Sequence, residues 1–285
     1  MRILNKSFLV GALALALTTA APGSVRAQET IKAVKVAQLR PPLDPEAAIW
    51  KSARDVRVTM QPQTVTVPMN ADPAVAQIRV RAIHNGKWLA LRMQWKDPSR
   101  SDVLTSDAFG DQVAVEFPLE SATDTLPTPM MGNAGGRVNI LQWRAALQRD
   151  LLVGEPSIRT LYPNALVDVY PDQILTATSA RPYQGAVALD NPVSRARATP
   201  VLDQVAEGWG TLTVKSQQQS DGHGVWRDGQ WTVVITLPMN SQSPDSPKLT
   251  SALKTVVAFA VWEGGHREVG SRKSWSDWTP IELAK

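Results

Sequence analysis

The chain has 285 residues, with 30 Lys and Arg, 26 Asp and Glu, three His and no Cys. Without Cys there can be no disulfide, thiolate metal site, iron–sulfur cluster or cysteine-linked haem. The formal charge of +4 is concentrated at the N-terminus: without Arg2, Lys6 and Arg26, 27 basic residues face 26 acidic ones, and no clustered basic face argues for nucleic acid.

Arg2 and Lys6 precede an apolar run from Phe8 to Ala21 that is too short to span a bilayer. Val25-Arg26-Ala27 ends in a small residue. This pattern predicts an export signal cleaved after Ala27, leaving one domain over residues 28–285. No Cys is present for a lipid anchor, and the lack of an Arg-Arg pair points to the general export route. The product is expected to be soluble, without a membrane anchor.

Residues 28–54 contain Pro41-Pro42, Pro45 and Trp50 and read as an ordered strap. Val56, Val58 and Met60, then Val65 and Val67, alternate as strands do. Asn85-Gly86 marks a hairpin turn. A two-residue turn would pair Ile83 with Trp88 and Val80 with Leu91. It leaves Ile78, Val80, Ala82, Leu89, Leu91 and Met93 on one apolar face. The same register sets Arg79 opposite Arg92, so an acid or an anionic ligand is expected near them.

Asp111 to Phe117 alternates as a strand. Val138 to Trp143 is another, with Arg144 to Leu152 continuing as a short helix. From Pro156 to Pro200 turn residues dominate around Tyr162, Tyr170 and Tyr183, which suits a functional insertion or a partner surface. Trp209 to Lys215 reads as a strand. Gly224 to Leu237 is a second hairpin turning at Asp228-Gly229, with Trp226 opposite Trp231. Thr255 to Trp262 is almost wholly apolar, as a central strand is. Regularly spaced strands with few helical runs argue an all-β sandwich with short helices and long loops.

The chemistry is sparse. His84 and His223 read as surface turn residues, and no nucleophile elbow, zinc-ligand pair or phosphate loop accompanies them. Two loops offer donors. Met130-Met131-Gly132 presents thioethers, which either plug a gap in the core or ligate haem iron. Lys273 is an ordinary solvated lysine unless burial among Trp262, Trp275 and Trp278 strips its proton.

An ordered series of segments adds a resemblance. It runs through 80–86, Trp95-Lys96-Asp97-Pro98-Ser99, 111–118, Met131-Gly132-Asn133, 139–145, 259–264 and Arg272-Lys273-Ser274. Together these resemble the haem-binding gamma subunits of the type II dimethyl-sulfoxide-reductase family, the group of ethylbenzene dehydrogenase and chlorate reductase. The resemblance implies an immunoglobulin-like or DOMON-like β-sandwich holding one non-covalent haem b. Its axial ligands match Met131 and Lys273, with Met130 or Met69 as alternative thioethers and His266 as a fallback. It further implies a non-catalytic periplasmic cytochrome within a heterotrimer. Such a subunit passes electrons between an iron–sulfur beta subunit and a soluble carrier, while a molybdopterin alpha subunit performs the redox reaction. The Pro156 to Pro200 span would suit docking of the beta subunit. A carbohydrate-binding-module-like sandwich and a haem-free assembly protein are the alternatives.

Overall fold

Most strands carry at least one apolar face that must be buried, and the chain solves this by stacking two sheets. The computed structural model describes residues 29–120, 125–166, 177–179, 191–194 and 197–285. The export signal, Tyr170 and Tyr183 lie outside the described residues, as does much of the span between Pro156 and Pro200. Among the described residues no helix is long and apolar enough to cross a membrane.

One layer runs in the order β8 (Thr213–Val214), β7 (Val201–Ala206), β6 (Val138–Arg144), β5 (Gln112–Pro118), β11 (Lys254–Trp262) and β13 (Thr279–Leu283). The other runs β3 (Gln77–His84), β4 (Trp88–Lys96), β10 (Gln230–Pro238) and β9 (Asp221–Trp226), with β2 (Val56–Thr59) beside β3. β1 (Ile31–Lys35) joins them. Its first half pairs with β13 and its second half with β3, parallel in both cases. β12 (Ser274–Trp275) is a short strand against β11.

The core lies between the layers. Val113, Val115 and Phe117 of β5 and Val257, Phe259 and Val261 of β11 meet Val80 and Ala82 of β3 and Leu89, Leu91 and Met93 of β4. Burial of these side chains is the main stabilising term. Trp143 is wholly buried and stands edge-on to Trp231, with centroids 5.0 Å apart. The helix α1 (Ala145–Val153) follows β6 as expected. A second short helix, α2 (Ile158–Leu161), starts at Ser157, whose side chain accepts from the Thr160 N–H.

The all-β sandwich expected from the sequence is what the chain forms, with several local differences. The Trp226–Trp231 pair is present. The first hairpin keeps its apolar face but shifts register by two residues, pairing Val80 with Met93 and Arg81, not Arg79, with Arg92. Asn85 Oδ1 accepts from the N–H groups of both Lys87 and Trp88, which widens the turn beyond two residues. The expected acid is Asp55, 3.0 Å from Arg81 Nε.

His84 is fully buried rather than a surface turn residue, because β1 lies alongside it. Burial first, and then the Lys35 charge, hold its imidazole below the usual pKa. Val65 and Val67 are exposed in a loop rather than a strand. Trp209 sits between Gly208 and Gly210, both at positive φ, outside β8. β7 follows Pro200 where no strand was expected.

The strap expected over residues 28–54 holds only in part: β1 opens it as a strand and a short 3-10 helix, Ala48–Ser52, closes it. Trp50 and Trp88 donate their indole N–H groups to the carbonyls of Asp44 and Leu39 and, with Ile83, Ala90 and Val234, cover one outer face. The opposite outer face, on β5, β6, β7 and β11, carries the candidate site.

Candidate functional site

The sequence places Ala114 and Glu116 of β5, Ile140 and Gln142 of β6, and Trp262 of β11 on the side of their strands away from the core. In an open sandwich these would meet water. Here Ala114, Ile140, Ala206 and Trp262 form a separate buried apolar cluster. Met131 and Trp278 pack against it. Two loops close over this face and leave a cavity of about 610 Å³, within the usual range for small-molecule and cofactor sites.

The first loop carries the methionines. Gly132 and Gly136 close a tight turn through Asn133, with Asn133 N–H donating to the Gly136 carbonyl and Gly136 N–H returning to Asn133. A Cβ on Gly132 would lie 2.3 Å from the Gly136 oxygen. The turn itself therefore requires a glycine there. Met131 has φ 70°. Its N–H donates to Glu116 Oε2 at 3.4 Å and its carbonyl accepts from Gly208 N at 2.7 Å. The residue is thus fixed from both β5 and the turn after β7. Met130 and Met131 both line the cavity.

The second loop carries Lys273, which lines the same cavity. Its Nζ lies 5.4 Å from the centroid of the Trp262 ring, a cation–π distance. The Trp262 indole N–H donates to Gly270 O at 3.0 Å, tying the ring to the loop. Gln63, almost fully buried, clamps this loop to another. Its Nε2 donates to Ser271 O at 3.0 Å as well as to Thr66 O and Pro68 O.

Burial drives Lys273 below the usual lysine range, and the Glu116 carboxylate works against that shift. Glu116 is pushed up to about 7 by burial, while Lys273 and the Met131 N–H draw it down. Its Oε1 has no hydrogen-bond partner.

The polar end of the cavity is a chain of amides. Gln142 Nε2 donates to Gln112 Oε1 at 2.7 Å, and Gln204 Nε2 donates to Gln142 Oε1 at 3.0 Å. Arg144 joins through Gln142 at 2.9 Å and leaves its Nε without a hydrogen-bond partner.

The structure therefore brings Met131, Met130 and Lys273 to one cavity. Met69 is 55% exposed and does not line it. His266 also lies off the cavity wall, 3.6 Å from Glu268. Trp275 borders only a small adjoining hollow that also touches Lys273 and Glu116. Sequence reasoning missed Gln63, Glu116 and the wall formed by Leu104 and Phe109. The one available signal was a lone Glu on the outward face of an otherwise apolar strand.

The outer face of this all-β sandwich thus holds an apolar cavity with thioether and amine donors in its walls. The chain belongs to the ethylbenzene dehydrogenase family, whose sequence model matches residues 47–274. It is 24% identical over 274 residues to a protein of Haloferax mediterranei provisionally named a respiratory nitrate reductase heme subunit, covering 95% of this chain and 79% of that one. It is 25% identical over 264 residues to the chlorate reductase subunit gamma of Ideonella dechloratans, covering 91% and 87%. The dimethylsulfide dehydrogenase subunit gamma of Rhodovulum sulfidophilum is 25% identical over 271 residues, with 89% and 82% covered. Among solved structures, a family 9 carbohydrate binding module from Caldicellulosiruptor kristjanssonii in complex with glucose aligns with a TM-score of 0.39 and 8% identity, covering 90% and 97%.

Proposed function

We propose that this chain is the haem-binding electron-transfer subunit of an exported molybdenum oxidoreductase, with one haem b held non-covalently between Met131 and Lys273. The observation that carries the reading is that both loops bring their donors to one and the same apolar cavity. The residues fit the group. Met131 supplies a thioether whose peptide is fixed on both sides. Lys273 supplies an amine that burial has already moved toward its neutral, ligating form. Trp262 and Ile140 keep water from the donors. Arg144, with a free Nε at the polar end, is the cation available to the haem carboxylates.

Bound haem supplies a one-electron carrier, and a thioether ligand favours its reduced state. Substrate chemistry would belong to a molybdopterin alpha subunit. An iron–sulfur beta subunit and a soluble periplasmic carrier would be the electron partners. The names of the chlorate reductase and dimethylsulfide dehydrogenase relatives support a place in such a complex. The export signal expected from the sequence, ending at Ala27, is consistent with a periplasmic location.

The test is the visible spectrum and haem content of the purified, exported protein. One haem per chain, extractable by acid–acetone and giving sharp bands on reduction, is expected. A protein that stays colourless after haem is added back would overturn the reading.

A further inference from the structure

At one end of the sandwich three carboxylates converge that the proposed haem site does not use. Asp97 directly follows β4, Asp111 directly precedes β5, and Glu263 directly follows β11. The first belongs to one layer and the other two to the opposite layer. Asp97 and Asp111 are fully buried and Glu263 is 5% exposed. One carboxylate oxygen from each lies within 4.8 Å of the others.

Hydrogen bonds satisfy this group unevenly. Asp111 is held by the N–H groups of Gly264 and Ser101 and by the Trp231 indole. Glu263 Oε1 accepts from Ser99 Oγ at 3.3 Å. Asp97 Oδ1 accepts from the Ser99 N–H at 3.1 Å, but its Oδ2 makes no well-formed hydrogen bond; the neighbouring Trp95 indole, also without one, only eases its charge. The charges acting on Asp97 are those of Asp111 and Glu263. Burial, followed by those two charges, pushes its carboxyl up to about 8. Three buried acids with no cation facing them among the described residues are costly, and a bound cation or a shared proton resolves the cost.

We propose that Asp97, Asp111 and Glu263 form a calcium site that staples the two layers together and fixes the loops lining the large cavity. The donors are all hard oxygens, with no His or Cys to favour a transition metal. Two oxygens on one calcium ion lie at most about 5 Å apart, which this spacing meets. Ser99 Oγ adds a neutral oxygen at the same place.

The loop between Asp97 and Asp111 carries Leu104 and Phe109, which wall the cavity, and the segment after Glu263 leads to Lys273. The two are tightly packed: a Cβ on Gly264 would sit 2.1 Å from Phe109 O. Neutralising the three acids therefore stabilises the anchor points of both loops.

The test uses the purified full chain, measuring thermal melts in EGTA and in CaCl2 together with elemental analysis. Calcium at about a hundredfold excess over its Kd is expected to raise Tm by on the order of 5–10 °C, with one calcium per chain. Asp97→Asn removes one charged ligand while keeping its size. It should abolish the calcium-dependent shift and keep the sandwich by circular dichroism. Identical melts in EGTA and CaCl2, with no stoichiometric calcium, would overturn the proposal in favour of a shared proton. A full calcium shift in the Asp97→Asn protein would overturn it equally.

Discussion

Glu116 and Lys273 lie at the same buried outer face, and burial moves their pKa values in opposite directions, Glu116 up to about 7 and Lys273 down. Each charge resists the other's shift. The pair therefore sets how readily Lys273 becomes a neutral amine.

That coupling gives a pH dependence of known sign. Between 4.5 and about 7 the folded haem-free chain holds a proton on Glu116 that the unfolded chain releases. Stability from this group is thus present at low pH and is lost as pH rises through that window, by at most about 3 kcal/mol. Glu116→Gln removes the loss. It also lets Lys273 fall further, which acts in the same direction. Melts across the window should show a less negative slope of Tm against pH in the variant. An unchanged slope would mean that Glu116 is solvated.

Gln63 is the clamp between two loops. Its Oε1 accepts from the N–H groups of Val65 and Thr66, both at 2.7 Å, while Nε2 reaches Ser271 O across the cavity rim. Gln63→Ala should cost about 2 kcal/mol, since buried backbone groups lose their partners. It should also speed haem loss to an acceptor protein without moving the absorption bands. Shifted bands would instead place Gln63 among groups that touch the iron ligands.

Gly224 marks a tight point of the core. A Cβ there would meet Cζ2 of Trp143 at 2.4 Å. Trp143 has no room to retreat, being fully buried against Trp231. Gly224→Ala should destabilise by about 3 kcal/mol, or roughly 10 °C in Tm, while leaving any haem spectrum intact. A melt within a degree or two of the parent would contradict this packing.

The sequence exposes some of these features more readily than others. The Asp228-Gly229 turn is legible because both residues must take positive φ, and they do, at 52° and 72°. The Asn85-Gly86 turn is legible as a turn but not in register, since Asn85 caps two N–H groups and lengthens it. A slip of two residues keeps every side chain on its face, so the core remained correct. β7 is hidden by polar residues such as Asp203, whose burial is satisfied by the N–H and hydroxyl of Ser220. The outer-face cavity is hidden for a different reason. Alternation shows that Glu116 and Trp262 face away from the core, but not that two distant loops fold over them. Only the family resemblance joined Met131 to Lys273.

The most direct test of the Met131–Lys273 assignment is the reduced visible spectrum of Met131→Ala beside Met130→Ala. Met131→Ala should lose the sharp low-spin bands and become high-spin, while Met130→Ala should keep the parent spectrum. A low-spin spectrum retained in Met131→Ala, whether or not Met130→Ala loses it, would contradict Met131 as the ligand.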